Sequence, residues 1–127
     1  MTDTNWENWY RQLLAAVALL AAPAPDQLAW LEKYAVPVDE IALNFDDTAV
    51  MARQLGDEGW LAPEALSELA RIDDLLGRLT TDEGSTGWTA QGLKTHEVWA
   101  QVRQVADRFL RAQGETERAL PLAEIIR

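Results

Sequence analysis

The chain contains no cysteine and a single histidine, His96. Without cysteine there is no disulfide framework and no thiolate metal site, which fits a cytoplasmic protein. One histidine excludes an imidazole cluster within the chain. The spacings Glu-x-x-His and His-Glu-x-x-His are missing, as is an Asp-x-Asp-x-Asn-Gly loop. Gly84-Ser-Thr-Gly87 lacks the lysine and the strand-to-helix setting of a phosphate loop. His96 stands beside Glu97 at an expected helix start. No nucleophile accompanies it, so a proton-shuttling role or a serine triad has no support. An enzyme built on carboxylates alone would need them to converge from separate helices, and the pattern shows no buried acid. No catalysis, no cofactor and no bound metal are therefore expected. The longest apolar run, residues 13–22, is too short to cross a membrane. Asp3, Glu7 and Arg11 precede it, a negative balance where a secretory leader carries a positive one. The run is read as part of a helix.

What is present points to one domain and to binding. The 127 residues are 48% hydrophobic, enough for a core of ordinary size. The formal charge is −10. Such a surface repels nucleic acid and anionic membrane and attracts basic proteins, with an association rate that falls with salt. The acid is uneven: residues 1–92 hold 16 of the 21 acidic side chains and only 5 of the 11 basic ones. Much of it comes as doublets: Asp39-Glu40, Asp46-Asp47, Asp57-Glu58, Asp73-Asp74 and Asp82-Glu83. A solvated surface with helix-dipole caps accounts for any one doublet. Five, with only Arg53, Arg71 and Arg78 interspersed, point to a face that meets a basic surface such as the nucleic-acid groove of a nuclease. Adjacent helical residues point in different directions, so a doublet alone is not a metal site.

The six tryptophans divide in the same way. Trp6, Trp9, Trp30 and Trp99 fall on apolar faces and are expected in the core. Trp60 and Trp88 each follow a glycine in a turn and are candidate interface anchors.

The periodicity predicts an all-α, compact bundle of about five helices. Thr4-x-x-Glu7 forms a capping box for a helix reaching about Ala22, stopped by Pro23 and Pro25. A second helix begins near Pro25 and ends near Tyr34, before Pro37, and its short link to the first implies an antiparallel hairpin. Residues 36–46 alternate at Val36/Val38 and Ile41/Leu43/Phe45. No second strand offers pairing, so the stretch is expected to be an irregular or partly helical connector. Asp46 or Asp47 then caps a third helix that turns Val50, Met51 and Leu55 inward. Pro63 opens a fourth helix with a sustained apolar face through Leu79. A loop follows, Trp88 ties it down, and Thr89 caps a single turn. Thr95 caps the last long helix, and Gly114 stops it. Residues 1–114 form the domain, and 115–127 a tail that is docked or mobile.

Three stretches, Leu28-Ala-Trp-Leu31, Val36-Pro-Val-Asp-Glu40 to Phe45-Asp-Asp47, and the turn from Trp60 to Pro63, resemble the small acidic bacterial immunity proteins of polymorphic and contact-dependent toxin systems. The resemblance covers roughly the first half of the chain and transfers no binding residue. It implies a cytoplasmic protein that neutralises one cognate toxin domain by tight, stoichiometric binding, without catalysis. The acidic pairs, with Trp60 or Trp88 as anchor, would occlude a basic toxin surface. The alternative is a helical adaptor or secretion chaperone. It would tend to be dimeric and would leave an apolar groove exposed for a partner helix.

Overall fold

The computed structural model describes residues 5–81 and 88–113. Among them it is entirely helical, with seven helices and no strand. They are α1 (Trp6–Ala21), α2 (Ala24–Tyr34), α3 (Asp39–Ala49), α4 (Ala52–Asp57), α5 (Pro63–Thr81), α6 (Ala90–Thr95) and α7 (Glu97–Ala112). The count exceeds five for two reasons. The connector is largely helix α3, and the single turn after Thr89 is a helix of its own.

The alternation across the connector does not mark a strand, because Leu43 does not belong to the core. Ile41, Ala42, Phe45 and Thr48 are buried, a helical spacing, while Leu43 is 48% exposed. Irregular backbone is confined to the bend before Asp39. There Ala35 takes a left-handed conformation (φ 53°), and the Val36 N–H donates to the Leu31 carbonyl at 3.1 Å. Asp46 and Asp47 lie inside α3 rather than at a cap. Val50, expected inside, is 66% exposed.

Cap identities also shift by a residue. Thr4 lies outside the described residues, and Asn5 caps α1, accepting from the Asn8 N–H at 3.0 Å. His96, not Thr95, caps α7: its Nδ1 accepts from the Val98 N–H at 3.1 Å. Thr95 instead donates to the Gln91 carbonyl. Thr89 caps α6 as expected, accepting from the Gly92 N–H at 2.9 Å. The turn between α4 and α5 passes through Gly59 at φ +86°, a conformation that favours glycine.

Four helices, α1, α3, α5 and α7, pack in a closed cycle. α7 lies between α1 and α5, α3 covers the other side of α1, and α3 returns lightly to α5. The short helices α2 and α6 sit together at one end. The second half of α1 is enclosed: Ala16, Val17, Ala18, Leu19 and Leu20 are all buried. Trp30, Trp99, Phe45 and Phe109 are the largest fully buried side chains, each contributing about 1.5–3 kcal/mol. Trp6 and Trp9 pack only partly against this core. The α3–α5 seam is the lightest of the four, and it is there that the surface opens.

Two polar knots hold the bundle ends. At the first, buried Gln27 donates from Nε2 to the Leu19 and Leu20 carbonyls at 3.0 and 3.1 Å. Its Oε1 accepts from Nε and Nη2 of Arg103 at 3.1 and 2.9 Å. Arg103 Nη2 also donates to the Leu93 carbonyl. At the second, Gln113 accepts from the Ala62 N–H at 3.1 Å and donates to the Trp60 carbonyl at 3.0 Å and the Tyr10 hydroxyl at 2.9 Å.

Candidate partner-binding groove

The groove follows from helix geometry. α3 is amphipathic, with Ile41, Ala42, Phe45 and Thr48 buried and Asp39, Leu43 and Asp46 exposed, and α5 exposes the strip opposite. Two depressions lie along the seam. The first, about 590 Å³, lies between Ala42 and Leu43 of α3 and Leu76 and Gly77 of α5, with Asp39 and Trp88 at its end. The second, about 500 Å³, lies between Ala49 and Val50 at the end of α3 and Leu69 and Ala70 of α5. Asp46 and Asp73 line both and therefore stand at the junction. Early residues of α3 meet late residues of α5 in the first depression, and the order reverses in the second. The two helices are antiparallel.

Electrostatics at the junction are unfavourable. Partial burial, then the neighbouring carboxylates of Asp73 and Asp47, hold the Asp46 carboxyl above the usual aspartate value. No cation pairs with Asp46 or Asp73 among the described residues. A carboxyl whose folded pKa is raised costs nothing where it is protonated in both states. Its cost appears as pH rises through the ordinary value of 3.8 and is complete above the raised one. Asp46→Asn is therefore expected to stabilise the fold by a few tenths of a kcal/mol near neutral pH and by nothing in strong acid. Urea unfolding of both proteins across that range measures the difference.

Gly77 is the second anomaly. It lies exposed inside a 19-residue helix, and a Cβ added there meets nothing within 4 Å. The isolated fold has no need of glycine there. Gly77→Ala should raise stability by about 0.5–1 kcal/mol, read as a higher denaturant midpoint at unchanged slope.

The residues singled out in the sequence are only partly gathered here. Asp39, Asp46, Asp73 and Trp88 line the groove. Trp88 is half-buried, set edge-on to Trp99 at 5.8 Å between ring centres, which fixes it at the groove end. Asp47 neighbours the junction without lining it. Glu40 and Asp74 lie on the same helices outside the two depressions, and Asp57 and Glu58 close α4 elsewhere. Trp60 is half-buried against Tyr10, ring centres 5.4 Å apart, beside the Gln113 knot. Asp82, Glu83 and the tail lie outside the described residues. Sequence reasoning missed Leu43, Val50, Ala42 and Gly77. The available signal was an apolar residue out of helical phase with its neighbours.

Among the described residues no group of three or more histidine, aspartate and glutamate side chains is placed to hold a metal ion. No helix among them is long and apolar enough to cross a membrane. Comparison with protein-family models, curated proteins and solved structures finds no match.

Proposed function

We propose that this chain is an immunity-type inhibitor that binds a basic toxin domain, possessing nuclease activity in the simplest case, as a stoichiometric heterodimer. The observation that carries the reading is the junction of the groove. There, Asp46 and Asp73, with which no cation pairs among the described residues, flank exposed apolar side chains, the composition that a basic partner surface completes. The net charge of −10 supplies the long-range attraction.

The test is recovery of what binds the tagged protein in its native cells, at low and then moderate salt. One basic toxin-like domain in equal amount supports the reading. With that partner in hand, Asp46→Lys combined with Asp73→Lys should slow association by roughly 10–100-fold and flatten its salt dependence. An unchanged salt dependence in stopped-flow association would refute it. The exposure of Leu43 and Val50 favours a second reading, a helical adaptor or secretion chaperone. That reading expects several secreted clients or a self-dimer in the same recovery.

A further inference from the structure

We infer that the α3–α5 groove receives a single basic amphipathic helix, which packs closest against Ala42 and Gly77 and places a lysine or arginine between Asp46 and Asp73. This rests on the binding reading above and specifies the chemistry of the bound segment. Along α3, Ala42 and Ala49 mark the two depressions and stand seven residues apart. Along α5, Ala70 and Gly77 do the same. At 1.5 Å per residue the depressions lie roughly 10 Å apart on either helix, two helical turns. Asp46 and Asp73 fall midway in both series. Asp39 precedes Asp46 by seven residues and bounds the first depression.

A helix laid along α3 matches this arrangement with one face. A basic residue meets Asp39, an apolar residue three or four later enters the first depression, and a second basic residue seven after the first meets Asp46 and Asp73. A second apolar residue then enters the other depression. Other occupants fit less well. An extended peptide needs a sheet edge to pair with, and no strand occurs among the described residues. A polyproline helix needs an aromatic-lined groove, and here the walls are mostly aliphatic, with Trp88 at one end and Phe45 fully buried beneath the other depression. A second copy of the chain would bring another −10 to an acidic groove.

Along the same seam the fold goes against its own stability. A mid-helix glycine with open space above it, like charges at Asp46 and Asp73, and the exposed side chains of Leu43 and Val50 each disfavour the isolated chain. All lie along one seam. Such departures cluster where a sequence serves something besides folding. A docked helix resolves all of them. Its cation separates the carboxylates, its apolar residues cover Leu43 and Val50, and its backbone approaches closely where Gly77 has no side chain.

The test uses a synthetic helical peptide with two arginines seven residues apart and a leucine four after each, in an alanine and glutamine background. One control replaces the arginines by glutamate, and the other places two prolines at its centre. Titration into the full-length protein is followed by amide chemical shifts. Saturable one-to-one binding is expected, with shifts centred on Ala42, Leu43, Val50 and Gly77. Each control should bind at least about tenfold more weakly. Gly77→Leu, which fills the first depression from an open position, should weaken the arginine peptide at least about tenfold while leaving the circular dichroism unchanged. No binding of the arginine peptide, equal binding of either control, or shifts centred elsewhere overturns the inference. The two readings separate cleanly. If a toxin domain is recovered and Gly77→Leu binds it as tightly as before, inhibition stands and the helix falls. If the peptide binds as expected and no basic partner is recovered, the helix stands and inhibition falls.

Discussion

Gln27→Leu should destabilise the fold by about 3–5 kcal/mol, the largest effect expected of any single polar substitution. Gln27 is fully buried, and its amide uses both ends. The Leu19 and Leu20 carbonyls belong to the last turn of α1, where no intrahelical donor reaches all of them. The oxygen accepts both bonds from Arg103, whose guanidinium burial has already pushed below its usual pKa. Leucine fills a similar volume but strips the Leu20 carbonyl of its amide donor and Arg103 of the acceptor of two of its bonds in a poorly solvated place, leaving Leu19 only its bond from the Ala22 N–H and Arg103 its bond to the Leu93 carbonyl. A domain of this size holds about 5–15 kcal/mol in total, so the midpoint of thermal unfolding should fall by roughly 10–20 °C. Arg103→Met tests the mechanism. With Arg103 gone, Gln27→Leu has less left to break, and the double variant should lose clearly less than the sum of the singles. Strict additivity in urea unfolding would show that the two side chains act separately.

The second large effect is expected at the other end of the bundle. Gln113→Ala should cost about 2–3 kcal/mol, because it releases three groups from three parts of the chain at once. The Ala62 N–H opens α5, the Trp60 carbonyl belongs to the turn before it, and the Tyr10 hydroxyl belongs to α1. Gln113→Glu keeps an acceptor for Ala62 but turns a charged oxygen toward the Trp60 carbonyl, so it should not rescue. The Trp60 ring stands against Tyr10, and its near-ultraviolet signal should broaden or fade in both variants. A preserved signal with full stability would mean that packing alone holds this end.

These two knots explain which part of the architecture can be read from a sequence. α1, α5 and α7 repeat an apolar residue every three or four positions over long stretches, and that pattern survives in three dimensions because it is itself the cause of the packing. Gln27 and Arg103, or Gln113 and Tyr10, are brought together by tertiary folding across most of the chain. No local pattern marks a glutamine for burial. The groove is an intermediate case. The doublets announce acid, but residues adjacent on a helix diverge by about 100°, so only one member of Asp46-Asp47 and of Asp73-Asp74 reaches the seam. Leu43 was legible only as a misfit: it extended the apparent alternation of Ile41 and Phe45 because it is apolar, and its side chain faces solvent because α3 is a helix.

The position of α1 has a consequence for how the chain is made. Its most extensive packing partner is α7, which begins at Glu97, more than seventy residues after α1 ends. At roughly 5–20 residues per second, the Ala16–Leu20 segment emerges from a ribosome several seconds before its cover exists. During that interval α3 and α4 are the packing partners available to α1, and only α3 packs extensively on it. A helix whose second half is wholly enclosed in the finished protein is thus the one exposed longest at birth. Chains interrupted before α7 should be the aggregating species, and a delay in synthesis between α5 and α7 should lower the yield of native protein more than the same delay earlier.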